Sequence, residues 1–144
     1  MTNATPWSPA DDALLEAARA VIRRNFDAEG ERHTVGCALR CRNGRVYAGV
    51  NMYDIHGACA EVVTMGMAAT AGEREFECIV AVRGAEGELI YPPCGNCRQV
   101  LADYAPDCEV ILPGPDGPHK LTVRELLPET HFVYPKPYKD VPFR

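Results

Sequence analysis

Apolar and polar positions fall in blocks along the chain, and the period changes from block to block. Leu14, Ala18, Val21, Ile22 and Phe26 recur at helical spacing, which predicts a helix ending near Phe26 with one face laid on a sheet. Its start is marked by Ser8-Pro9-Ala10-Asp11, a capping hydroxyl followed by proline and then an acid near the positive end. Residues 27–31 form a loop. Residues 35–42 and 45–50 read as the strands of a hairpin around Asn43-Gly44, a strong short turn signal. Cys37 and Cys41 lie an even number of positions apart, so they share one strand face and read as core.

Residues 59–71 are rich in Ala, Val and Met and are apolar nearly all round, which predicts a buried helix in which Gly66 lets a neighbour approach. Residues 76–82, with Cys78 inside, read as a buried strand; Gly84 to Gly87 turns the chain, and Leu89-Ile90-Tyr91 is extended. Residues 97–104 predict a second helix, with Val100, Leu101 and Tyr104 inward, and residues 108–112 another strand. After the breaker cluster of residues 113–118, Thr122-Val-Arg-Glu125 is a capping box opening a short helix that Pro128 ends. The tail, residues 129–144, is aromatic and Pro-rich, and reads as extended and packed on the pocket or a neighbouring subunit. Strands alternating with helices after a hairpin predict an α/β fold with a mixed sheet covered on both faces, in one domain over residues 1–144.

Composition narrows the class. A chain of 144 residues can bury a core of its own. No apolar run reaches membrane-spanning length, and the N-terminus lacks a basic-then-apolar export signal. Seven cysteines without such a signal argue against a disulfide framework and for the cytoplasm. The net charge is −5, and the only close basic groupings are Arg23-Arg24 and Lys136 with Lys139. Gripping a nucleic acid backbone takes a clustered basic surface, so the expected partner is a small molecule and not a polynucleotide.

The chemistry concentrates in Cys59-Ala60-Glu61 and Pro93-Cys94-Gly95-Asn96-Cys97. Each half opens a predicted helix, whose N-terminus favours thiolate charge. Three thiolates fit a zinc ion that keeps one position open to water. Glu61 is not needed as a ligand and is free to move protons. A lone Cys-x-x-Cys is equally a redox pair or half a structural zinc site. A glutamate two residues after the first cysteine, and a proline before the second, turn the pattern toward hydrolytic deamination. The competing reading is a zinc-stabilised binding module without turnover, closed by His56 as a fourth ligand, in which Glu61 has no task. His33, just before the first strand, is placed either in a pocket or in loop packing.

Residues 44–53 (GRVYAGVNMY), 59–61 (CAE), 93–101 (PCGNCRQVL) and 124–128 (RELLP) carry a resemblance to the cytidine deaminase family. Asn51-x-Tyr53, and the RELLP segment leading to an aromatic pair, are most similar to its blasticidin S deaminase branch. The resemblance implies a three-layer α/β/α fold around about five strands, and a homotetramer with one zinc per subunit on Cys59, Cys94 and Cys97. It implies Glu61 as the catalytic acid and base, Ala60 and Pro92 on the ring edge, Asn51 and Tyr53 on the sugar, and Phe132 and Tyr134 closing the pocket. The substrate it implies is a cytosine nucleoside, blasticidin S or a similar aminonucleoside, with antibiotic resistance as the cellular role. The alternatives are cytidine or deoxycytidine, in pyrimidine salvage, and then another amino-heterocycle. Two positions depart from the family pattern: Tyr53 stands where a ribose-binding glutamate is typical, and Val62 where an arginine eases thiolate charge. Arg98 is the nearest cation to take over that second task.

Overall fold

The pattern above becomes four helices and six strands in a computed structural model that describes residues 2–130. In chain order they are α1 (Pro9–Asn25), β1 (Val35–Cys41), β2 (Val46–Val50), α2 (Ala60–Thr70), β3 (Phe76–Arg83), β4 (Leu89–Ile90), α3 (Gly95–Tyr104), β5 (Glu109–Leu112), β6 (His119–Thr122) and α4 (Val123–Leu126). The sheet runs β2-β1-β3-β5-β6, with the two-residue β4 beside the end of β3. Only β3 and β5 pair in parallel, across the connection that carries α3; the other pairs are antiparallel.

Period-two alternation sends each strand's side chains to two cores. On one face, Ala38, Cys78, Val80, Val82 and Ile111 pack against Leu14, Ala18 and Ile22 of α1. On the other, Cys37, Leu39, Cys41, Ile79 and Val110 meet Ala60, Met65, Ala68, Leu101 and Ala102 of α2 and α3. This is the expected helix–sheet–helix layering, and Cys37, Cys41 and Cys78 are core residues within it. Gly36 lets α1 lie close on β1, since a Cβ there would sit 2.6 Å from the Ala18 carbonyl oxygen. Among the described residues no helix is long and apolar enough to cross a membrane.

Several local expectations are corrected. The hairpin connection is longer than a two-residue turn: the strands stop at Cys41 and Val46, and Gly44 alone takes a positive φ, of 89°. Helix α3 starts at Gly95, because the Cys94 sulfur caps it by accepting from the Cys97 N–H. Tyr104, expected inward, is 66% exposed. Helix α2 buries only one side, through Ala60, Glu61, Thr64, Met65 and Ala68. No neighbour comes within 4 Å of a Cβ built on Gly66. Strand β6 was not anticipated, because its four residues follow directly on the breaker cluster.

One end of the sheet holds a buried charge network between distant segments. Asp11, at the start of α1 and 0% exposed, accepts from Arg40 Nη2 at 3.1 Å and from Lys120 Nζ at 3.0 Å. Lys120 also reaches Glu109 Oε1 at 3.0 Å and Thr5 Oγ1 at 2.9 Å. Burial would raise the Asp11 and Glu109 carboxyls, but donation from Lys120 and from the Ser8 and Thr5 amides holds both below their usual range. The same pairs raise Lys120 against its burial. Beside the network the N-terminal segment is stitched to α4: Thr2 Oγ1 donates to Glu125 Oε1 at 2.8 Å, and the Asn3 N–H to Oε2 at 3.1 Å.

Candidate active site

The starts of α2 and α3 converge beside the sheet, and each brings cysteine sulfur to its own cap. Cys59 is the N-cap of α2; Cys94 is the N-cap of α3, with Cys97 in its first turn. The Cys59 and Cys94 sulfurs are 3.5 Å apart, as are those of Cys94 and Cys97, and all three lie within 4.8 Å of one another. A tetrahedral zinc with ~2.3 Å Zn–S bonds needs its sulfurs ~3.8 Å apart, so the donor set fits. Neither His56 nor Glu61 joins this cluster. His56 is exposed, so the closed four-ligand site is not what these residues form.

The thiols differ in their surroundings. Burial and the nearby Glu61 push Cys97 far up. Burial also raises Cys59, with Cys94 and Glu61 adding to it. Cys94 goes the other way: against its burial, the Cys97 N–H and the Cys97 and Cys59 thiols donate to it and hold it below the usual thiol value. A thiolate forms most readily there, at the helix start.

Glu61 is 5% exposed, in the first turn of α2, and lines the same cleft as Cys59 and Cys94. Burial raises its carboxyl above the usual range, against donation from its own amide and from Cys97. The cleft measures about 170 Å³; Asn51, Tyr53, Ala60 and Pro92 line it, together with Tyr91 and Asp54. Ala60 is the first helical residue of α2, so its N–H has no partner within the helix. Tyr53 stands at the mouth, 73% exposed.

Two expected site residues have partners within the chain. Asn51 is nearly buried, and its Oδ1 accepts from the Thr34 and Val35 amides at 2.8 and 3.0 Å. It fastens the loop entering β1, and only one amide hydrogen of its Nδ2 is left after the bond to Thr34 Oγ1 at 3.2 Å. Arg98 does not donate to the sulfurs through its Nε or Nη1. They serve the carbonyls of Pro93, at 3.0 Å, and Leu126, at 3.1 Å. His33 Nδ1 pairs with the Asn51 carbonyl at 2.8 Å, which is loop packing. Phe132 and Tyr134 lie outside the described residues. Tyr91 and Asp54 were missed because nothing in their local sequence marks them as cleft residues. Tyr91 is oriented by Arg83, whose guanidinium lies 5.3 Å from the ring centre and donates to the hydroxyl.

Comparison with known proteins gives consistent matches. A family model described as the cytidine and deoxycytidylate deaminase zinc-binding region matches residues 8–112. Blasticidin-S deaminase of Bacillus cereus is 34% identical over 130 residues, spanning 84% of this chain and 91% of that protein. Cytidine deaminase of Halalkalibacterium halodurans is 38% identical over 102 residues, spanning 67% and 76%. The crystal structure of cytidine deaminase from Burkholderia pseudomallei superposes with a TM-score of 0.69 at 31% identity, covering 83% of this chain and 98% of that one.

Proposed function

Since the chain belongs to the cytidine and deoxycytidylate deaminase family and is a zinc-dependent hydrolytic deaminase, we propose that it deaminates a cytosine nucleoside of the blasticidin S type, with Glu61 as its proton carrier. The observation that carries this reading is the buried Glu61 carboxyl in the cleft that Cys59 and Cys94 also line. Cys59, Cys94 and Cys97 would hold the metal. Zinc bound there would supply the Lewis acidity that lowers the pKa of a water toward neutrality.

This chain's own groups account for the rest. Glu61 takes a proton from the attacking water and passes it to the ring nitrogen. The water oxygen bonds to the amine-bearing carbon. A second proton, relayed by Glu61, goes to the departing amine, which leaves as ammonia, and a uracil-type ring remains. Burial raises the Glu61 carboxyl above its usual range, which favours its return of the proton. Asn51, Tyr53, Ala60 and Pro92 all line the cleft; in this reading the Ala60 N–H and the Pro92 backbone would hold the ring edge, and Tyr53 with the remaining Asn51 hydrogen would hold the sugar.

Tyr53, where a ribose-binding glutamate is typical, and the relative from Bacillus cereus support blasticidin S over cytidine. The second reading, cytidine or deoxycytidine, draws on the relative from Halalkalibacterium halodurans. Ultraviolet loss of the cytosine chromophore, followed side by side on blasticidin S, cytidine and deoxycytidine, decides between them. Preference for blasticidin S supports a role in antibiotic resistance; preference for cytidine supports one in pyrimidine salvage. Turnover of none of the three refutes both. We further propose a homotetramer in the cytoplasm. Val62, Gly66, Ala69, Val100 and Tyr104 leave an apolar outer face on α2 and α3 that suits a second copy. All seven cysteines are free, as a reducing compartment keeps them. Light scattering of the purified protein measures the oligomer, and a monomer at micromolar concentration removes that part of the proposal.

A further inference from the structure

Arg98 follows the last cysteine of the site and turns back over the start of its own helix. Its Nε donates to the Pro93 carbonyl at 3.0 Å and its Nη1 to the Leu126 carbonyl at 3.1 Å. Its backbone N–H donates to the Cys94 carbonyl at 2.9 Å. The peptide before Cys94 and the peptide after it are therefore both held by one residue. The far end of the tie, Leu126, closes α4, which contributes nothing to the cleft. Helix α4 is itself fixed by the Thr122–Glu125 capping box and by Arg124 N–H donation to the Pro106 carbonyl at 3.2 Å.

We infer that Arg98 is a positioning residue that aims the Cys94 sulfur by clamping Pro93 to α4, so that metal binding and α4 docking are coupled. The coupling is reciprocal: whatever steadies α4 tightens the site, and the bound metal steadies α4 by the same free energy. It rests on the zinc assignment to Cys59, Cys94 and Cys97. A clamp of this kind differs from charge neutralisation, the role that the sequence alone suggested for Arg98. Here the two carbonyls are met by two separate nitrogens, Nε and Nη1, of one rigid planar group, a spacing that the single nitrogen of a flexible lysine does not reproduce.

Arg98→Lys keeps the charge and removes the fork. The zinc-loaded variant is compared with the unmodified protein by chelator competition, by kcat and KM, and by amide exchange of residues 123–127. The expected result is zinc affinity weaker by about 10- to 100-fold, as for other groups that orient metal ligands. With it come a fall in kcat at nearly constant KM and faster exchange in α4. Zinc affinity within about threefold of the unmodified protein overturns the clamp and restores the charge reading. Should Arg98→Lys not fold, the unmodified protein decides alone: slower α4 exchange with zinc than without supports the coupling, and equal exchange overturns it. An unmodified protein that binds no zinc removes the ligand assignment, and with it the clamp.

Discussion

Lys120→Met is the perturbation whose cost follows most directly from the structure. The Lys120 side chain is 3% exposed and its ammonium faces Asp11, Glu109 and Thr5. Methionine fills similar volume but leaves two buried carboxylates with less compensation. Asp11 retains Arg40 and the Ser8 amide; Glu109 retains only Thr5 among the partners described above. Breaking a buried ion pair by removing one partner costs about 3–5 kcal/mol, because the charge left behind stays desolvated. The folded Asp11 and Glu109 carboxyls lie below their unfolded values, so the stability they contribute is present above the unfolded carboxylate range. It is lost as pH falls through the folded values. Lys120 is raised, so its share holds below the unfolded lysine value and is lost as pH rises through the folded one. The deficit of the variant should therefore be flat from roughly pH 5 to 10 and shrink on acidification. Urea unfolding followed by far-ultraviolet circular dichroism at several pH values measures it. The double variant Asp11→Asn/Lys120→Met should lose less than the sum of the single losses. A deficit below about 1 kcal/mol at neutral pH, the value of an exposed pair, or one independent of pH, refutes the reasoning.

Glu61→Gln should fold and keep its zinc while kcat/KM falls by about 10²–10⁴ for the lost proton relay; metal analysis and turnover check it together, and near-wild-type turnover removes the role. Cys94→Ala should lose zinc and melting temperature together, because metal binding and folding are linked in such sites; full zinc content in that variant argues against the ligand set. Gly57→Ala places a Cβ 1.9 Å from the Met52 carbonyl oxygen, so the cleft loop must move. KM should rise while the melting temperature, set by the two cores, changes little; an unchanged KM shows that this loop does not shape the pocket.

What the sequence made legible was local. Cys59, Glu61, Cys94 and Cys97 were readable because their spacing and helix caps are set within a few residues. The capping boxes at Ser8 and Thr122 marked helix starts for the same reason. What stayed hidden depends on residues far apart in the chain. Lys120 looks like any surface lysine in a short polar stretch, and its burial follows only from Asp11 and Glu109 meeting it across two elements. Strand β6 stayed hidden with it. Arg98 was assigned to the thiolates by proximity in sequence, whereas its guanidinium finds two carbonyls, one from a segment 28 positions away. Asn51 was read only as a sugar contact, and the two backbone amides that its oxygen also accepts from, 16 and 17 positions away, were not visible in its local sequence.

The stitching of the N-terminal segment to Glu125 has a consequence for synthesis on the ribosome. Thr2 and its partner Glu125 are 123 positions apart. At typical translation rates the first residues wait roughly 6–25 s before their partner is made. Over that interval β1, β2 and β3 can pair and receive α1, because every residue they need has already emerged. The outer edge, β5 with β6, is added last, and only then can the leading residues settle. The nascent chain thus builds its sheet from the β2 edge toward the β6 edge, and the segment around Thr2, made long before its partner, is among the last parts to settle.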